Sequence, residues 1–226
     1  MSRPAPDRSR QRQIRLLKLA VFAACLAPAV WLAWRILGIG GATLGPNPVE
    51  ELLHTVGKTS LNLLLITLAV TPLRRLTKIN RLVVFRRMLG LFAFAYASLH
   101  LLTYVALDQR FAWASLVVDV TQRPYITVGM LALVLMVPLA VTSTNAMQRR
   151  LGRRWVKLHR LVYPIAILGV VHFFWQVKAD TSEPTIYAAI LAVLLGLRVH
   201  WAWQRRRAAV TRPTPTDRLQ PASDRR

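Results

Sequence analysis

Residues 85–104 read FRRMLGLFAFAYASLHLLTY. Two arginines open the stretch, and fourteen residues later a single histidine, His100, interrupts an otherwise apolar run. An apolar run bounded by cations and about twenty residues long is the length that crosses a bilayer as a helix. An ionisable side chain several residues inside such a helix is costly, and is paired or functional as a rule.

The same pattern extends outward along the chain. Of 226 residues, 54% are hydrophobic, yet the charges fall in clusters separated by nearly uncharged stretches. This predicts an all-α fold: a polytopic membrane bundle of six transmembrane helices, over about 19–37, 48–73, 88–107, 124–143, 156–177 and 184–203. The first apolar run is as long as a full span and has no small-residue cleavage site after it, so it reads as a retained anchor rather than a signal peptide. The second helix is expected to begin above the membrane, with Asn47 as cap, Pro48 at the first helical position and Glu50 three residues after the cap. It would enter near Gly57, with Lys58 reaching to the headgroups.

Charge sets the orientation. Of the 31 lysines and arginines, all but Arg35, Lys58, Arg110, Arg123 and Lys178 fall on one side of these spans. Glu50, Glu51, Asp108, Asp119, Asp180 and Glu183 fall on the other. Positive loops stay inside, so both termini are expected in the cytoplasm of a cell inner-membrane protein. The net charge of +22 is then a topology signal and a contact with anionic lipid rather than a nucleic-acid surface. The domain reading is a basic cytoplasmic tail over 1–18, a six-helix domain over 19–203, and a disordered basic tail over 204–226. Disorder is also expected at the N-terminus up to Ile14. The chain shows no internal repeat on inspection, and no glycine-rich phosphate loop, HExxH or GxSxG motif. The lone Cys25 excludes an intrachain disulfide and a cysteine metal site.

Chemistry is left to five histidines. His54 and His200 lie near helix ends and read as interfacial polar groups. His159 adjoins Lys157 and Arg160, so an interfacial role is open for it too. His100 and His172 lie deep, at matched depth, on two spans that run the same way. Zinc would want more ligands, and a proton relay would want acids within the spans, where there are none. Two imidazoles suffice for haem. Ala93, Ala95, Ala97, Ser98 and Gly169 leave room for a porphyrin or serve plain helix packing. His159 and His172 are separated by ~20 Å of helical rise but point ~140° apart on an ideal helix. Pro164 lies between them and can alter that phase.

Four stretches carry a resemblance: NPVEELLHTVG (47–57), residues 85–104, RPYITVGMLAL (123–133) and RRLGRRWVKLHRLVYPIAILGVVHFFW (149–175). Together they resemble the MsrQ family, the haem-binding membrane subunits of the periplasmic methionine sulfoxide reductase system, within the ferric-reductase-like transmembrane superfamily. The resemblance implies haem b, one or two per chain, with His100, His159 and His172 as axial ligands to iron, and FMN as a second cofactor. It implies a periplasmic molybdopterin-containing catalytic subunit as acceptor, and the quinone pool or a cytoplasmic flavin reductase as donor. The chain would thus be an electron-transfer subunit in protein repair, with no methionine sulfoxide site of its own. The alternative is a transmembrane ferric or quinone reductase with another partner. Two-haem members of the superfamily carry a second histidine early in the third span, where this chain has Arg86 and Arg87. Those arginines can meet haem propionates or a flavin phosphate, or simply set topology. The exposed-looking run QRRLGRRWVK (148–157) is expected to form one basic helical face for a donor or a flavin phosphate, or for lipid.

Overall fold

The computed structural model describes residues 8–177 and 179–210. No β-strand occurs among them. The helices are α1 (Arg8–Ile36), α2 (Pro48–Thr77), α3 (Val83–Thr103), α4 (Trp113–Gln122), α5 (Pro124–Val141), α6 (Asn145–Leu151), α7 (Arg153–Leu158), α8 (Val162–Gln176) and α9 (Ser182–Val210). Six stretches are long and apolar enough to cross a membrane: Gln11–Ile36, Pro48–Thr77, Asn80–Asp108, Pro124–Val141, Arg153–Gln176 and Ser182–Ala208. These are the six expected spans, lengthened at most ends. Residues 8–14, expected without structure, continue α1, and residues 204–210 continue α9. The remaining tail residues, 1–7 and 211–226, and Lys178 lie outside the described residues.

The connections gather charge into two poles. The basic pole holds the N-terminal end of α1, residues 78–82, α6, α7 and the C-terminal end of α9. The acidic pole holds Glu50, Glu51, Asp108, Asp119, Asp180 and Glu183.

α2 is the hub. Half of its most apolar window is buried, against 11% for the windows in α1, α5 and α9. Leu61, Leu64, Leu65 and Leu68 pack inside it, and α1, α3, α8 and α9 surround it. Its cap forms as expected: the Asn47 side chain accepts from the Glu50 amide at 3.4 Å. The apolar side chains left exposed, such as Leu19, Val134 and Val193, lie on faces a bilayer would cover.

α1 docks on α3 through a broken rung. Pro28 disturbs the helix ladder of α1. The Tyr96 hydroxyl enters beside it, accepting from the Ala29 amide at 3.1 Å and donating to the Cys25 carbonyl at 2.8 Å. One phenol thus satisfies two backbone groups that a continuous helix would pair with each other, and Phe22 stacks edge-on against Phe92 at 5.1 Å beside it.

One feature was not anticipated, and a second gives form to the change of phase expected from Pro164. The stretch between the third and fourth spans is not a bare loop. It contains α4, an amphipathic helix whose Asp119 is buried and receives Tyr104 at 2.5 Å, Gln109 at 2.9 Å and Arg123 at 3.1 Å. Secondly, the fifth span is interrupted by a 3₁₀ turn at His159–Leu161 before α8 resumes. Pro164 has no N–H to offer the Arg160 carbonyl, so the α-helical register breaks there. A 3₁₀ turn advances about 120° per residue rather than 100°, which changes the phase between His159 and His172.

Candidate functional site

α2, α3, α5 and α8 enclose a cavity of ≈ 580 Å³ toward the acidic pole, within the ~300–1,000 Å³ usual for cofactor sites. His100 of α3 and His172 of α8 face each other in it, with ring centroids 6.1 Å apart and planes at 81°. The sequence placed these two at one depth; the fold brings them together.

Each ring is held by a backbone carbonyl from the other helix of its pair. His100 Nδ1 lies 3.0 Å from the Leu53 carbonyl on α2. His172 Nδ1 lies 2.7 Å from the Tyr125 carbonyl on α5. A carbonyl only accepts, so Nδ1 carries the proton in both rings and Nε2 keeps its lone pair. That is the tautomer of a metal-ligating histidine oriented from behind. Two imidazoles on opposite sides of one metal, each at ~2 Å, place their centroids about 6 Å apart, the separation found here. No cluster of three or more His, Cys, Asp or Glu side chains able to hold a metal occurs among the described residues, so the pair lacks the further ligands zinc would need.

Of the small residues considered, Ala97 and Gly169 line the cavity. Ala93 is instead fully buried against α2, where its carbonyl accepts from Ser60 at 2.8 Å, and Ala95 is exposed. Gly57 and Gly129, which the sequence reading did not single out, sit directly against the two histidine rings. His54, read as an interfacial group, also lines the cavity and lies 2.8 Å from the Gln176 amide nitrogen. His200 stays exposed near its neighbour Gln204, at 2.9 Å.

The basic half is built differently. His159 stacks on Trp155 at 3.9 Å and 26°, with Nδ1 3.1 Å from the Trp155 carbonyl. Its Nε2 is buried without a hydrogen-bond partner; the Leu139 carbonyl is close but makes no hydrogen bond to it. Arg86 is half-buried in the neighbourhood of His159 and Arg198. Arg87 instead points outward and donates to Asn145 Oδ1 at 2.5 Å. Arg198 donates to the Leu68 carbonyl at 2.5 Å and the Leu194 carbonyl at 3.1 Å. All six described carboxylates lie at the other pole.

The basic run does not form one helical face. Gly152, with φ +48° and ψ −117°, separates α6 from α7. Arg149, Arg150, Arg153, Arg154 and Lys157 are all exposed but sit on two short helices.

Residues 56–170 match the family of the ferric reductase like transmembrane component. The chain is 50% identical over 201 residues to the protein-methionine-sulfoxide reductase heme-binding subunit MsrQ of Xanthomonas euvesicatoria, covering 88% of this chain and 92% of that one. It is 53% identical over 195 residues to the protein of the same name from Rhodospirillum rubrum, covering 86% and 92%. The chain belongs to the MsrQ family. The corresponding protein of Xanthomonas campestris is 53% identical over 191 residues, 83% of this chain and 86% of its own. Family membership and six apolar helices make this a multi-pass membrane protein. The matched region begins one residue before Gly57 and ends two before His172, so it takes in His100, Tyr125 and both cavity glycines but neither Leu53 nor His172.

Proposed function

We propose that this chain is the haem b subunit of a methionine sulfoxide reductase system, carrying electrons across the inner membrane to a periplasmic molybdopterin-containing catalytic subunit. The observation that carries the reading is the facing pair His100 and His172, each with Nδ1 committed to a carbonyl and Nε2 free. Bound haem supplies a one-electron couple. The chain's own residues would do the rest: His100 and His172 would hold the iron, and the apolar part of the lining would lower the local dielectric.

The basic half supports an entry site. His159 offers a buried, unpartnered Nε2, and Arg86 offers a half-buried cation with no carboxylate at that pole among the described residues. A buried charge wants a counter-charge, which suits the propionates of a second haem or the phosphate of FMN. Arg87, tied to Asn145, takes the smaller part. With both termini cytoplasmic, the basic pole receives electrons from the quinone pool or a flavin reductase, and the acidic pole hands them on. The segments over 1–18 and 204–226 act as cytoplasmic tails of the 19–203 haem domain. The match to ferric-reductase-like proteins favours, as a second reading, a transmembrane ferric or quinone reductase with another partner.

The test is a dithionite-reduced minus oxidised spectrum of the purified protein, with porphyrin, iron and flavin counted per chain. Haem b bands with at least one porphyrin per chain are expected. A spectrum without them contradicts both readings.

A further inference from the structure

The two halves of the cavity wall are the same device built twice. The helices that supply the accepting carbonyls read LHTVG over 53–57 and YITVG over 125–129, sharing Thr-Val-Gly. In both, the histidine that donates the hydrogen bond lies 47 residues after the carbonyl. Leu53, Gly57 and His100 thus each recur 72 residues later as Tyr125, Gly129 and His172. This repeat escapes inspection of the sequence because only a few positions in each unit carry it. The unit is a helix pair, α2 with α3 and α5 with α8. Two copies running the same way are related by an axis along the membrane normal, so their histidines meet at one depth.

The glycine has a definite place in the unit. It stands four residues after the carbonyl in both copies. In an α-helix that carbonyl points at the amide four residues on, and the Cβ of that later residue tilts back toward the N-terminus, beside the carbonyl. Glycine leaves the flank of the carbonyl open, and its second lone pair can accept from outside the helix. The ring takes the vacated space. A Cβ on Gly57 would lie 3.1 Å from both Nδ1 and Cε1 of His100; one on Gly129 would lie 2.7 Å from Nδ1 and 2.8 Å from Cε1 of His172. The other helical glycines differ in what they face: a Cβ would meet nothing within 4 Å at Gly196, Thr67 Cγ2 at 3.8 Å at Gly90 and Leu61 Cδ1 at 3.3 Å at Gly169, and no histidine ring at any of them.

Resting on the haem reading above, we propose that Gly57 and Gly129 are positioning residues: each uncovers the carbonyl that fixes the tautomer, rotation and basicity of the histidine facing it. They act through His100 and His172. A methyl at either site pushes the ring off its carbonyl and weakens the Nδ1–H bond that makes Nε2 a stronger ligand.

The experiment titrates haem into the apoprotein and records the low-spin electron paramagnetic resonance signal and midpoint potential of the loaded form, for wild type, Gly57→Ala, Gly129→Ala, Gly196→Ala and His172→Ala. Haem affinity should fall roughly 10–100-fold in Gly129→Ala, the usual range for losing a second-layer partner, and by less in Gly57→Ala, where the contact is looser. Both should shift the g-values and raise the potential, while Gly196→Ala matches wild type. Should Gly129→Ala fail to fold, the milder Gly57→Ala decides through the same readouts. Wild-type affinity, g-values and potential in both cavity glycine variants, with haem lost from His172→Ala, overturn the proposal alone. Full haem in His172→Ala overturns the ligand assignment and the proposal with it.

Discussion

The acidic and basic halves of the bundle solve the problem of a buried histidine in opposite ways. Toward the acidic pole, two imidazoles face each other, and each spends its Nδ1–H on a carbonyl from a neighbouring helix. Their orientation is therefore fixed by tertiary structure. Toward the basic pole, His159 bonds the Trp155 carbonyl within its own chain segment and leans on the Trp155 ring. Where a partner imidazole would be sought, there is the half-buried Arg86. A metal between two fixed imidazoles needs nothing more from the protein. A lone imidazole beside a guanidinium that faces no carboxylate among the described residues asks for a ligand that brings negative charge. Rigid two-sided ligation suits a permanent cofactor; one-sided ligation with an anion-seeking cation suits a site of different affinity.

The comparison breaks most visibly at the rigid half. His100→Ala and His172→Ala should each abolish the low-spin haem signal, measured as porphyrin content and spectrum of the purified variants. Retention of a full, unaltered signal in both would show that the pair is not the ligand set. His159→Ala should leave that signal in place and slow electron throughput, because it touches only the basic half. Loss of all haem from this variant would erase the distinction between the halves.

These variants test what was legible in the sequence. The six spans were readable because the charges mark their ends. His100 and His172 were readable because imidazoles deep in apolar helices stand out against their neighbours. Helix-to-helix facing was not readable. Nothing in LHTVG or YITVG says that their glycines meet histidine rings 43 residues further on, since that contact depends on how two helices rotate against each other. His54 looked interfacial for the same reason: its position along α2 was clear, but its direction toward Gln176 was set by α8. Arg86 and Arg87 looked equivalent as neighbours, yet adjacent helical residues point about 100° apart, and only one is half-buried. The break at Gly152 went unread, although RRLGRR carries a glycine that ends a helix readily at positive φ.

Smaller effects sharpen the picture. Tyr96→Phe keeps the ring but leaves the Cys25 carbonyl and Ala29 amide without their shared partner. A cost of about 1–3 kcal/mol is expected, seen as a lower thermal midpoint in detergent with the haem spectrum unchanged. An unchanged midpoint would mean that α1 closes its own ladder around Pro28. Neutralising Arg153, Arg154 and Lys157 together should slow reduction by an acidic donor several-fold at low ionic strength and much less at high salt. Salt-independent rates equal to wild type would assign those exposed cations to lipid alone.

The account's central claim is that electrons enter at the basic pole and leave at the acidic pole. It is tested most directly in sealed vesicles of known orientation, with reductant confined to the basic face and the purified catalytic subunit confined to the other. The account predicts that the acceptor becomes reduced across the intact membrane, more slowly with His159→Ala and not at all with His172→Ala. Reduction that occurs only when both reagents share one face would contradict it.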